Sequence, residues 1–285
     1  MTQLRFVKME GCRNDYIFLD GGLGSLATRF ASSAPFAAWS RVVSDRHGGV
    51  GGDGLILLEP GNRNPVRMRM WNADGSEGRL CLNGLRCAAK YVAEETSAGD
   101  AFTVETISGD RPVRVFRDAA GKVNEVEVVV GAPDFRRSAL PARGSEDELW
   151  GDTFDVEERS LPGYAVSLGN PHLVFPLRGD ITEVSLNALG PLSQDPRFPE
   201  GMNVHLMTQK DQGLDMCSWE RGTGPTLACG SGAVAVFAVA ERLGLVGKEA
   251  TVHMPGGAVD VREENGALVM RGPAREVFRG QIQVE

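Results

Sequence analysis

Long apolar runs are missing from this 285-residue chain. No stretch of about 18 apolar residues occurs, which excludes a membrane-spanning helix. The opening MTQLRFVKMEG has no apolar core, so it does not read as a secretory leader. Clusters of lysine and arginine are also missing, and the net charge is −8, which argues against a nucleic-acid partner. Histidine is scarce, with four in all, and none stands in an H-x3-H pattern. The cysteines, Cys12, Cys81, Cys87, Cys217 and Cys229, are spaced C-x5-C and C-x11-C where they come closest, which fits no zinc ribbon or finger. No metal is therefore expected. An odd number of cysteines without an export signal implies free thiols in a reducing cytoplasm.

What the chain does have is an internal repeat. A constant offset of 148 residues relates Trp71 to Trp219, Cys81 to Cys229 and Gly84 to Gly232. It also relates Thr103-Val104 to Thr251-Val252, Gly109 to Gly257, and Val113-Arg114 to Val261-Arg262. Many matches in one order imply a duplicated unit. Each copy runs from a Trp through a Gly-rich turn to a Cys, then into a helix. The first predicted helix, Asn83 to Glu95, carries Leu85, Ala88, Ala89 and Val92 at helical spacing. The second, Ser231 to Leu243, is apolar nearly all round and so should be buried, with Gly244 as its C-terminal stop. Strands are predicted at 102–107, 113–116 and 126–130, and again at 251–254, 259–262 and 267–271. Glu264-Asn265-Gly266 reads as a tight turn. The polar stretch Asp134 to Ser160 reads as an irregular linker. The expected fold class is α/β (α+β), in two pseudo-symmetric halves, 1–131 and 132–272. The C-terminal strand 273–285 is a candidate to return to the first half.

Cys81 and Cys229 each stand just before a helix that begins with small residues. A helix start leaves backbone N–H groups unpaired and carries about half a positive charge. Such a site favours a bound carboxylate and is expected to lower the pKa of a thiol. Removing the α-proton of an amino acid builds negative charge on its carboxylate, and two helix starts would stabilise that charge. One thiolate takes the proton from one face and the opposing thiol supplies one to the other. The other cysteines, Cys12, Cys87 and Cys217, are expected as buried core residues.

Several motifs resemble the diaminopimelate epimerase family along nearly the whole chain. They are Lys8–Tyr16 (KMEGCRNDY), Asp45–Asp53 (DRHGGVGGD), Asn72–Glu77 (NADGSE) and Cys81–Cys87 (CLNGLRC). They continue with Gly169–His172 (GNPH), Asn203-Val204, Glu220-Arg221-Gly222, Leu227–Gly232 (LACGSG) and Pro255–Gly257 (PGG). The cysteine blocks and Glu220-Arg221 are the specific parts. The resemblance implies halves that are each a β-roll around a central helix, with the active site in the cleft between them. It implies a cofactor-independent isomerase, active as a homodimer on a small amino-acid substrate, in lysine and cell-wall synthesis. It implies Cys81 and Cys229 as the catalytic pair, with N–H groups of Leu82, Asn83, Gly230 and Ser231 on the reacting carboxylate. Asn14 would lie near the reacting centre. Asn72, Asn170, Asn203 and Arg221 would hold the distal end, with Glu220 and His172 close to the thiols and distal amine.

Plainer readings stand beside these. Asn72 and Asn170 both occur in ordinary turn patterns. His172 could be a hydrogen-bonded core histidine, and Glu220-Arg221 a solvated pair. Asp45-Arg46-His47 reads as support for the loop after it. The chain departs from the family pattern at Leu82, where Gly is usual. It departs again at Cys12-Arg13-Asn14 for Leu-Gly-Asn, and at Pro225 for Glu. A racemase of another amino acid, such as histidine, and a non-catalytic amino-acid-binding protein are the rival functions. A proline racemase relative would carry His at position 83, which is Asn here.

Overall fold

The structure, a computed structural model, describes residues 2–25, 28, 35–211 and 213–284. It divides into two compact units. One takes residues up to Val129 together with those from Arg271 onward; the other is Val130–Met270.

The first unit is built in chain order from β1 (Thr2–Gly11), β2 (Asn14–Asp20), α1 (Phe36–Ser44), β3 (Gly54–Pro60) and β4 (Val66–Asn72). It continues with β5 (Glu77–Gly78), α2 (Leu82–Glu95), β6 (Ala101–Glu105), β7 (Arg111–Arg117) and β8 (Val123–Gly131). The second has β9 (Trp150–Val156), β10 (Arg159–Ser167), β11 (Pro171–Leu177), α3 (Leu189–Ser193), β12 (Asn203–Lys210) and β13 (Gly213–Glu220). It goes on through β14 (Gly224–Thr226), α4 (Gly230–Arg242), β15 (Glu249–Met254), β16 (Gly257–Glu264) and β17 (Ala267–Pro273). The first unit is completed by β18 (Arg275–Val284), which pairs antiparallel with β1 and sets Thr2 opposite Val284.

Strand pairing shows the duplication directly. In the first unit β1–β2 is antiparallel, β2–β3 parallel, β3–β4 and β4–β5 antiparallel, β4–β6 parallel and β6–β7 antiparallel. The second unit repeats this order of pairings from β10 to β16. Within the repeat β1 corresponds to β10, β4 to β13 and α2 to α4.

Each helix is the apolar filling of its own unit. Every residue of α4 from Ala233 to Ala240 is at most 1% exposed. In α2, Leu85, Ala88 and Ala89 are fully buried, as their spacing predicts. Lys90 of the same helix is buried too, but is paired with Glu94 at 2.9 Å. Asn265 and Gly266 adopt φ of 54° and 79°, the left-handed pair that a two-residue hairpin turn requires.

Two expectations need correction. Asp134–Ser160 is not all irregular, because β9 and the start of β10 fall inside it. Only Phe154 and Val156 of β9 are buried, so this solvent-facing strand reads as polar sequence. Cys217 is half-buried at the edge of the second unit's core rather than within it. Burial still pushes its thiol up to about 11. Cys12 and Cys87 are buried as expected, and burial raises Cys87 to about 12.

Candidate active site

The β1–β2 turn positions the first cluster. Gly11 pairs with Asn14 across a two-residue turn in which Cys12 and Arg13 have φ of 57° and 63°. Neither residue is glycine, so both carry left-handed strain. Two contacts hold the turn. The Arg13 N–H donates to Glu10 Oε2 at 2.8 Å. The fully buried Arg86 of α2 donates to the Cys12 sulfur at 3.5 Å and to the Pro273 carbonyl at 3.0 Å. Relief of strain outweighs the extra backbone entropy of glycine at this position. Arg13→Gly should therefore stabilise the protein by about 0.5–1 kcal/mol. Urea unfolding checks this, and a loss of stability would contradict it.

Immediately after the turn, the Asn14 side chain reaches the cap of α2. Its Oδ1 accepts from the Cys81 thiol at 3.2 Å and from Asn83 Nδ2 at 3.2 Å. Its Nδ2 donates to Asp53 Oδ2 at 2.6 Å, and the Asp15 N–H donates to the same oxygen at 3.1 Å. Arg46 bridges Asp53 and Asp15, while Lys8 also pairs with Asp15. The Asp45 carboxylate accepts from the N–H groups of His47 and Gly48. The Asp45-Arg46-His47 cluster is thus support for the loop, as its sequence suggested. Buried Tyr16 engages both Cys81 and Asn14; burial and the neighbouring sulfur hold its hydroxyl well above the usual tyrosine range. Asp53 and Tyr16 lie in the quoted motifs, but no spacing rule marked them as partners of Cys81.

Both candidate cysteines are helix N-caps with extended backbone. Cys81 Sγ accepts from the Gly84 N–H at 3.4 Å, and Cys229 Sγ accepts from the Gly232 N–H at 3.3 Å. Leu82, Asn83 and Gly230 open the two helices and are buried; Ser231 is half-buried beside Cys229, 3.8 Å from its sulfur. The bulk of Leu82 is absorbed by burial at 3% exposure.

The expected lowering of thiol pKa fails at Cys229. Burial pushes this thiol well above its ordinary range, and the Glu220 carboxylate beside it pushes the same way. The Gly232 N–H and Ser231 act in the opposite sense but do not outweigh them. Desolvation beats the helix start here, so Cys229 rests as a thiol.

Around Cys229 the second unit gathers most of the other candidates. Thr226 donates to Glu220 Oε1 at 2.7 Å, which fixes the carboxylate near the sulfur. Asn170 Nδ2 lies 3.3 Å from Ser231 Oγ. Asn203 is a bracket: its Nδ2 donates to the Pro171 carbonyl at 3.0 Å and its Oδ1 accepts the Arg221 N–H at 3.0 Å. The Arg221 side chain is exposed, with one guanidinium nitrogen 2.8 Å from the Glu200 carbonyl. Asn72 behaves as its turn pattern says. Its Nδ2 bonds Ser76 Oγ at 2.9 Å, and no hydrogen bond joins it to the Asn14–Cys81 cluster among the described residues. Pro225 is exposed in β14.

His172 is wholly buried, and stacks with His205. His172 Nδ1 lies 2.9 Å from His205 Nε2, and His205 Nδ1 lies 2.8 Å from Ser218 Oγ. Burial holds His172 well below its ordinary value and His205 at about 3, so both are neutral near pH 7. An unfolded histidine protonates near 6.5, so below that pH the unfolded chain takes up protons that the folded one refuses. The stability these groups contribute is complete above 6.5 and is lost as pH falls. Going from pH 7 to pH 6 should cost about 0.7 kcal/mol for each, about 1.4 kcal/mol for the pair. Urea denaturation at the two pH values checks this, and equal stabilities would contradict it.

Among the described residues no helix is long and apolar enough to cross a membrane, and no three His, Cys, Asp or Glu side chains cluster as metal ligands.

Solved structures share the fold, with its two pseudo-symmetric halves. A phenazine biosynthesis protein of the PhzF family from Bacillus anthracis matches with TM-score 0.69 at 15% identity, covering 100% of each chain. A hydroxyproline epimerase from Agrobacterium vitis, with trans-4-hydroxy-L-proline bound, matches with TM-score 0.67 at 12% identity, over 98% of this chain and 92% of that one. Sequence is more specific. The family model for diaminopimelate epimerase matches residues 6–135 and 164–277. Diaminopimelate epimerases of Bacillus velezensis and Bacillus subtilis are each 43% identical, over 98% of this chain and 99% of theirs. That of Geobacillus kaustophilus is 41% identical over 98% and 97%. The chain belongs to the diaminopimelate epimerase family, a family of isomerases.

Proposed function

We propose that this protein interconverts LL- and meso-diaminopimelate by moving a proton between two cysteines, without a cofactor. The observation that carries the reading is the matched pair of cysteine caps. In each half of a duplicated fold a thiol receives the N–H of the glycine three residues on and stands beside the N–H groups that open the helix. Cys81 and Cys229 act on opposite faces of one α-carbon. The N–H groups of Leu82, Asn83, Gly230 and Ser231 hold the reacting carboxylate and stabilise the enediolate as it forms. Asn14, fixed by Asp53, keeps the Cys81 thiol oriented.

Resting as a thiol beside Glu220, Cys229 is the proton donor in one direction, with Cys81 the base once its own thiol proton has passed to solvent. In the other direction Glu220 accepts the Cys229 proton, through the contact that already raises the thiol. Arg221 holds the distal carboxylate, supported by Asn170, Asn203 and Asn72, and Glu220 faces the distal amine. The cytoplasm is the expected compartment, and a second copy the expected partner.

Purified protein should convert LL-diaminopimelate to the meso form without pyridoxal phosphate or metal. It should leave a panel of single-ended L-amino acids, histidine included, unracemised. Racemisation of histidine without action on diaminopimelate would replace this reading with the histidine racemase alternative.

A further inference from the structure

The duplicated register allows the two units to be compared position by position. Leu55 opposes Trp71 in β3–β4, and Val204 opposes Trp219 in β12–β13. It follows that Ile56 corresponds to His205 and Met70 to Ser218. The glycines agree: a Cβ on Gly84 would lie 2.6 Å from the Ile56 side chain, and one on Gly232 would lie 2.5 Å from the His205 ring. The same register matches Tyr16, opposite Gly54, with His172, opposite Asn203.

The first unit therefore fills the space under its helix start with Ile56 and Met70. The second spends the same space on a histidine and a serine, both at most 2% exposed. Burying two polar side chains where a hydrophobic pair would fit costs stability unless they are bonded. They are bonded, in a chain that ends at His172. The far atom of that chain, His172 Nε2, is buried with no hydrogen-bond partner among the described residues. Arg221 is close enough for its charge to act on His172, and Asn203 lies opposite His172 across the β11–β12 pairing.

The direction of the chain follows from its first link. Ser218 Oγ has no hydrogen-bond partner other than His205 Nδ1 among the described residues, so its proton goes there. A neutral imidazole that accepts at Nδ1 carries its proton on Nε2. His205 Nε2–H then donates to His172 Nδ1, which leaves the His172 proton on Nε2.

We propose that Ser218 and His205 are positioning residues that fix the tautomer of His172, so that its Nε2–H is a donor to a carboxylate of the bound amino acid. This rests on the functional reading above for the identity of the ligand. The positive charge of Arg221, near enough to act on His172, favours an anion rather than a cation at that Nε2–H. With the chain reversed, His172 would offer a lone pair, which suits an ammonium instead.

Protein labelled with 15N-histidine tests the tautomers without substrate. Long-range proton–nitrogen correlation at pH 7 should show both buried histidines neutral, with the proton on Nε2. A His172 proton on Nδ1 would overturn the proposal. Ser218→Ala, which removes only a hydroxyl, should shift both rings toward the other tautomer, and Ser218→Thr should restore them. Unchanged tautomers in Ser218→Ala would also overturn it. Because the donor serves ground state and transition state alike, Ser218→Ala should raise KM about tenfold and change kcat less than about twofold. A fall in kcat at constant KM would contradict the ligand-holding role. If diaminopimelate proves not to be a substrate, the functional reading fails, and the tautomers of the unliganded protein still decide this one.

Discussion

Replacing Cys229 with alanine should lower kcat for epimerisation by roughly 10²–10⁴-fold in both directions, the range that a positioned acid or base contributes. Loss in both directions is the informative part. A thiol that donates a proton one way must accept it the other way, so neither direction survives. Alanine also removes the cap on α4, worth about 1 kcal/mol, and a critic could blame unfolding. Cys229→Ser answers this. A hydroxyl still accepts the Gly232 N–H, but it does not ionise in the working range, so the helix stays capped and activity stays low. Cys81→Ala and Cys81→Ser should behave alike. Full activity in any of these variants, measured by the formation of meso from LL substrate, would sink the proton-transfer account.

Arg221→Leu should weaken diaminopimelate roughly 10- to 150-fold, the equivalent of about 1.5–3 kcal/mol for a lost charged hydrogen bond. The backbone at this position is anchored independently. Asn203 Oδ1 holds the Arg221 N–H, and Asn203 is itself tied to the Pro171 carbonyl. The exposed side chain can therefore be changed without moving the turn. The loss should lie in KM, because the distal carboxylate does not change during reaction. Affinity for a monocarboxylic amino acid should change less than about threefold. Equal losses for both ligands, read by competition at equilibrium, would assign Arg221 to the reacting end instead.

Much of this was legible before any coordinates. The helices at 83–95 and 231–243 are found at Leu82–Glu95 and Gly230–Arg242, because small apolar residues at helical spacing leave few alternatives. Strands after each helix lie where alternation and turn residues put them, and Asn265-Gly266 makes the turn its residue types demand. The shared offset of Cys81 and Cys229 is matched by equivalent caps. Strand β9 was hidden because its outward positions are Gly151, Thr153 and Asp155, none of them apolar strand formers. The state of Cys229 was hidden for another reason. A helix start can be read from residue order, but the depth of burial and the approach of Glu220 cannot.

His205 and Ser218 were the hardest to see. Their counterparts are Ile56 and Met70, so the repeat shows no match there, and only strand register makes the comparison. Asp53 was part of a recognised motif, yet its grip on Asn14 depends on β2 and β3 running parallel. Local chemistry is written in neighbouring residues; partnerships across strands are written in pairing.

The central claim is that two different thiols serve the two faces of one carbon. The direct measurement is an initial-rate reaction in D2O starting from LL-diaminopimelate, with deuterium located by mass spectrometry in substrate and product. Two bases predict meso product that carries one solvent deuterium at the inverted carbon, while the remaining LL substrate carries almost none. Deuterium entering substrate as fast as product would mean that one base serves both faces, and would contradict the account.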